Sequence, residues 1–403
     1  MSTILLRGAR QIVTLRGSGE PRRGPALKEI HPIADGAVLI SGGSIVQVGP
    51  TRRLENLAGV RQAIEIDATG RVVMPGFVDS HTHLAFPAGA DDEHTAQRIR
   101  SSTGQFMEAR ARKHLLAMAR HGTTTVEAKT GCGADESAES KMLRVLSALR
   151  GDPLDLVPSF LCRLPPEDPE AAAQRITGEL LPKIRRRRIA HFADVAFPAD
   201  PQLLPLCDAY MKAARALGFR RKVHADTPAT ECAVELAVRN GASGIDHLEY
   251  ASAEDARRIG EAGLITTLMP AASLRDDRVP PARCLIENGA AIALATNFHP
   301  SYCPALNMQT AIALATLRMG LSVEEAITAA TVNAAYAIGE GARTGSLEPG
   351  KAADLVILNI SDLRDLPECI GTNMVHKTIK GGVVIYEEGD VELPAGRDRL
   401  LSA

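Results

Sequence analysis

Tryptophan is absent from the chain, and aromatic residues of all kinds make up only 3% of its 403 residues. That scarcity removes the stacking platforms on which single-stranded nucleic acid is held. Net charge is nearly absent too: at −2 the chain exerts no overall pull on nucleic acid or anionic lipid. The one basic run, Lys183 to Arg188, reads as the solvated end of a helix. Paired cysteine motifs are missing. Seven cysteines, an odd number, are scattered without a C-x-x-C spacing, which argues against a disulfide framework and a zinc ribbon and leaves free thiols. Nowhere do about eighteen apolar residues run unbroken, as a membrane helix needs. Met1–Arg7 is not a charged leader followed by a long apolar stretch. A cytoplasmic, soluble protein with a small-molecule substrate is expected, with neither nucleic acid nor membrane as partner and self-association left open.

What is present is ordinary in bulk and specific in order. Hydrophobic residues are 45% and charged residues 23%, as in a soluble globular chain, and the length suits two or three domains or one α/β barrel with an appendage. Residues 1–73 carry short β-like runs bounded by Gly, Pro and Asp turns, with a polar stretch from Arg16 to Asp35 read as a long loop. From Met74 the texture changes to apolar strands alternating with helix-patterned segments. Eight strands are expected, at 77–80, 123–128, 156–161, 192–197, 221–224, 244–247, 264–268 and 291–296. Such an alternation predicts a (β/α)₈ TIM barrel over residues 74–344. After it the chain returns to strands, with Gly381-Gly382 as a hairpin turn, so residues 1–73 and 345–403 are expected to form one small β-sandwich from both ends.

In such a barrel, functional side chains sit at the carboxyl ends of the strands. Reading those ends gives His81 and His83, then Glu127 and Lys129, Arg163, His224 and Asp226, His247 and Glu249, and Asn297 and His299. Residues i and i+2 on a strand share a face, so His81 and His83 can present imidazoles to one point. Neutral imidazoles converging there suit one divalent ion, zinc before iron(II) or manganese(II), with a position open to water. Hydrolysis then needs proton transfer, for which His247 is the candidate, with Asp246 and Glu249 nearby to bias its tautomer.

The segments Pro75-Gly76-Phe77-Val78-Asp79-Ser80-His81-Thr82-His83, His224-Ala225-Asp226, Asp246-His247-Leu248-Glu249 and Ala295-Thr296-Asn297, with the tail Gly345–Val356, resemble the amidohydrolase superfamily. Within it, Glu127-Ala128-Lys129-Thr130-Gly131-Cys132-Gly133 resembles the strand-two loop of imidazolonepropionases, which open a cyclic amide. The resemblance implies His81, His83 and His224 as metal ligands and His247 as the catalytic histidine. Asn297 stands where the family has an aspartate that binds the metal and takes a proton, and a neutral amide cannot serve as that base. Ala90 stands where these relatives carry a carboxylate-binding arginine, and Cys132 replaces a tyrosine.

These departures define the expected pocket. Lys129, Cys132, Arg163 and Thr227 are its candidate substrate contacts, with Arg163 as a substitute carboxylate anchor. His299 is a candidate base in place of Asn297. The reading is a metal-dependent hydrolase of a cyclic or simple amide with an altered pocket. Its alternatives are a binding relic of the same fold that has lost catalysis, supported by Asn297, and a heterocycle deaminase, against which Thr227 replaces the expected glutamate.

Overall fold

The computed structural model describes residues 3–57, 60–89, 92–133, 135–276 and 278–389; the part of the expected 345–403 segment beyond residue 389 lies outside them. Phe77–Thr82, Thr123–Lys129, Asp155–Cys162, Phe192–Ala196, Arg220–Ala225, Gly244–His247, Ile265–Leu268 and Ala291–Leu294 pair in parallel, each with the next, as barrel strands one to eight. Strand eight runs back to strand one through a bridge between Thr82 and Phe298, where the His83 N–H donates to the Phe298 carbonyl at 2.7 Å. The Ser80 hydroxyl adds a bond to the Leu294 carbonyl at 3.1 Å. Side chains are buried along these strands because helices cover the outer face, which is why they read as nearly unbroken apolar runs.

The helices fall where the spacing puts them, with capping chemistry at their starts. Ser252 and Asp255 close a reciprocal capping box on Ala253–Ala262, and Ser322 with Glu325 does the same on Val323–Ala329. Met308–Met319 is a helix without a sequence expectation. It buries Met308, Gln309, Ala311 to Ala315 and Met319, almost its whole circumference, so no amphipathic period marks it.

The strands from both ends join one eight-stranded sheet: Thr3–Val13, Pro32–Ser41, Ser44–Pro50, Ile64–Asp67 and Val72–Pro75 with Leu355–Leu358, Val375–Lys380 and Val383–Glu387. Alternation sorts its faces. Val73, Leu355 and Ile357 pack into the sheet's own core, while Val72, Met74, Val356 and Leu358 join the core of the barrel. The stretch from Arg16 to Asp35 is not wholly a loop: it holds a short 3₁₀ turn, Gly24–Lys28, and Pro32 to Ala34 pair with Val13 to Gln11. Pairing with a strand across the hairpin, and not local composition, extends it. The apolar run from Val72 to Thr82 is likewise divided between the two sheets. It crosses at Gly76, where a Cβ would lie 2.3 Å from Thr124 Cγ2.

The amino end of the barrel is closed by the helix Val332–Ala337, whose Ala334, Ala335 and Ala337 pack with Val78, Phe192 and Ile265. Among the described residues no helix is long and apolar enough to cross a membrane.

Candidate metal centre and active site

Strand one slips by one residue against strand two, since Asp79 pairs with Val126 but Thr82 with Ala128. Such a bulge re-aims side chains. Val78 therefore packs in the barrel core, while the rings of His81 and His83 both reach the mouth, 5.3 Å apart between centroids. His224 near the end of strand five lies 5.1 Å from His81, and His247 at the end of strand six lies 4.1 Å from His224. One ligand atom each from His81, His224 and His247 falls within 4.8 Å of the others. The backbone is forced to achieve this: His247 (φ +80) and Leu248 (φ +73) occupy the left-handed region, which side chains with a Cβ rarely adopt.

His81 Nε2, His83 Nδ1, His224 Nδ1 and His247 Nε2 are buried and have no hydrogen-bond partner. Leaving one such group unsatisfied costs about 1–3 kcal/mol. A divalent cation is the species that several neutral imidazole lone pairs satisfy together, so the residues fit the ion the sequence implies. In three of the four rings the remaining nitrogen is oriented from behind. His81 Nδ1 is 2.8 Å from Asp246 Oδ2, His224 Nε2 is 3.2 Å from Asp226 Oδ2, and His247 Nδ1 is 3.3 Å from Glu249 Oε1.

Burial, reinforced by neighbouring positive groups, holds His81 and His83 well below the ordinary histidine range, and burial with His247 lowers His224. Burial also pushes His247 down, but Glu249, Asp226 and Asp246 together outweigh it and leave it raised.

One step deeper, Lys129 Nζ contacts Asp194, lies 2.8 Å from Asp246 Oδ2 and 3.5 Å from Glu127 Oε2. Lys222 Nζ is 2.7 Å from Glu127 Oε2, whose other oxygen accepts from the Ser159 hydroxyl. Burial pulls Lys129 down, yet the three carboxylates outweigh it and hold it above the ordinary lysine range. Sequence reasoning missed Asp194 and Lys222. For Asp194 the signal was available, as a charged residue inside an apolar strand two positions before its end; Lys222, two positions before His224, follows two arginines on its strand and carries no such mark. Asp246 was expected to serve its neighbour His247; its hydrogen bond goes instead to His81, 165 residues away.

The expected substrate contacts divide. Arg163 is half-buried, and among the described residues no hydrogen bond or ion pair engages its guanidinium. Its charge bears on His83, His224 and Asp226, which places it beside the histidines. Gly131 makes room for it, since a Cβ there would meet Arg163 Nε at 3.3 Å. Thr227 is half-buried, its hydroxyl 3.4 Å from the Phe197 carbonyl.

Lys129 and Cys132 are corrected. Lys129 is fully buried and committed to carboxylates. The Cys132 thiol donates to Glu139 at 3.2 Å and sits 3.8 Å from Met142 Sδ, both on the adjoining helix, and burial pushes it well above the ordinary thiol range.

Strand eight's end is pinned by Asp79, which accepts from the Thr296 N–H at 3.0 Å and its hydroxyl at 2.5 Å. Asn297 follows, half-buried and left-handed (φ +54), a conformation that Asn and Asp tolerate best. His299 lies 5.6 Å from His83. Its Nδ1 accepts from the backbone N–H groups of Ser301 and Tyr302 at 3.1 and 3.3 Å, so the proton of the neutral ring resides on Nε2. His299 is therefore a donor, not the base expected from its position. Ala90 lies outside the described residues.

A (β/α)₈ barrel with partner-free imidazole nitrogens gathered at its mouth defines the metal-dependent hydrolase class. Residues 72–385 match the Amidohydrolase family. The imidazolonepropionase of Alkaliphilus metalliredigens is 33% identical over 97% of this chain and 100% of its own, and that of Symbiobacterium thermophilum is 38% identical over 96% and 98%. The chain belongs to the amidohydrolase family, among the relatives of its imidazolonepropionases. The crystal structure of atrazine chlorohydrolase from Arthrobacter aurescens complexed with zinc shares the fold, with a TM-score of 0.74, 18% identity and 95% of each chain covered.

Proposed function

We propose that the chain opens a cyclic amide that carries a carboxylate, of the imidazolonepropionate type, in the cytoplasm. The observation that carries the reading is the set of four buried imidazole nitrogens without partners, at the mouth of the barrel. Full-length similarity to imidazolonepropionases supports the reaction, and seven cysteines without a disulfide suit a reducing compartment.

His81, His83 and His224 would hold the ion, with Asn297 three residues beyond the end of strand eight. His83 is preferred to His247 as the third imidazole because burial keeps His83 neutral, whereas Glu249, Asp226 and Asp246 together favour the proton-carrying form of His247. Zinc suits an imidazole set, and when bound it supplies Lewis acidity and an activated water.

His247, held by Glu249 at Nδ1, keeps Nε2 for moving a proton to the departing ring nitrogen. Asp226 lies beside this cluster, bonded to His224; burial pushes it up, but His224, His247 and Arg163 together hold it well below the usual carboxylate range, so it stays ionised. It can orient the attacking water where the family's strand-eight aspartate is missing. Arg163 supplies the fork that a substrate carboxylate accepts.

The test is turnover of 4-imidazolone-5-propionate and of its methyl ester by zinc-loaded protein. Arg163→Gln is expected to raise KM for the acid by about ten- to a hundredfold, the equivalent of one charge-assisted pair, while leaving the ester unchanged. If neither compound nor any other cyclic amide is turned over, the reading fails.

A further inference from the structure

The basic run from Lys183 to Arg188 plays no part in the hydrolase reading. It ends the helix Leu181–Arg187, and Arg188 (φ +54) turns the chain there. Arg185 and Arg188 line a groove of about 440 Å³ together with Arg150 and Arg220. The groove lies at the amino end of the barrel, beside Phe192 at the start of strand four and Gly339 after the closing helix. His191 also lines it, whereas His81, His83, His224 and His247 are at the opposite end.

We propose that this groove binds a small oxyanion carrying at least two negative charges. Among the described residues, none of the four guanidinium groups has a carboxylate at ion-pair distance. The acid in the wall, Glu340, is taken by Arg343, 2.7 Å from its Nε. Arg150 Nε is buried and without a partner, and the same side chain donates from its NH2 group only to the Arg188 carbonyl at 3.2 Å. Arg220 stacks on Phe192 at 4.9 Å and Arg185 on Phe219 at 5.6 Å, which fixes the planes of two forks while leaving their edges to donate. Gly339 (φ +80) clears the approach: a Cβ there would lie 1.7 Å from an Arg220 terminal nitrogen. Four unpaired guanidinium groups around one groove repel one another, and an oxyanion bound bidentately relieves that repulsion and satisfies their donors.

The test is isothermal titration of the zinc-loaded protein with inorganic phosphate and, separately, with tricarballylate, at constant ionic strength. Binding by either with a dissociation constant below about 1 mM is expected, and which one binds tells phosphate from polycarboxylate. Arg185→Gln, at an exposed position, and Arg150→Gln should each weaken it about tenfold, the loss of one charge-assisted fork. Binding that survives both substitutions unchanged would place the anion elsewhere, at the metal end for instance, and overturn the proposal. So would the absence of heat with both anions.

Discussion

Two buried polar layers lie one behind the other along the barrel strands. In the deeper one, Lys129 and Lys222 meet Glu127, Asp194 and Asp246, and each ammonium contacts a carboxylate. At the mouth, His81, His83, His224 and His247 each keep one ring nitrogen without any partner. A buried polar group is tolerated when it is paired, and in the deeper layer every charged group meets an opposite charge from within the chain, although Asp194 Oδ1 and Asp246 Oδ1 keep no partner of their own. The mouth breaks it four times over in one place, and such a concentration is the mark of a ligand supplied from outside. Asp246 belongs to both layers, since one oxygen meets Lys129 and His81 together. The paired layer thus holds the ligand layer in position.

The largest effect that would sharpen this contrast is at the mouth. His81→Ala should release most of the bound divalent ion by elemental analysis and lower amide hydrolysis by at least about three orders of magnitude, with Lewis acidity lost. Retained metal and activity would place the ion elsewhere. In the deeper layer, Lys129→Met leaves carboxylates buried together without their shared cation, and the loss expected in chemical denaturation is about 3–5 kcal/mol. A neutral outcome would mean that the layer is less tightly coupled than its distances imply.

Asn297→Asp should tighten metal binding and raise kcat by about ten- to a hundredfold by restoring a proton acceptor on strand eight. A fall in kcat would assign the amide a role of its own.

The smallest effect concerns Glu139, a buried acid that no cation pairs among the described residues, whose carboxyl burial pushes up to about 7. A folded-state value above the unfolded one favours the protonated form. Its stabilisation is therefore complete below the unfolded value near 4.5 and is lost as pH rises through about 7. Glu139→Gln should accordingly be more stable than the parent by about 2 kcal/mol at alkaline pH and not at pH 5. Equal pH profiles for the two proteins would show that Glu139 is ionised throughout.

Much of this architecture is legible in the chain. The eight barrel strands follow from apolar runs, and the histidines at their ends follow from period-two alternation and the carboxyl-end rule, both local properties of the backbone. Where the expectation differs from the structure, the deciding contact comes from another element of the fold. Lys129 sits at a strand end, where a substrate contact is expected, but three carboxylates, two of them from strands four and six, claim it. Cys132 sits in a loop that faces the site in sequence order, yet its thiol turns to Glu139 on the next helix.

The chain by itself determined where strands, turns and imidazoles fall, because those depend on neighbours a few residues away. Only the closed barrel decided which nitrogen of each ring is tethered and which is left for a ligand, which ammonium is consumed by carboxylates, and that Arg150 and Arg220 meet the arginines of a helix end around one groove. Those outcomes depend on strands widely separated in sequence being wrapped side by side, and a one-dimensional pattern carries no information on which way each side chain turns once they are.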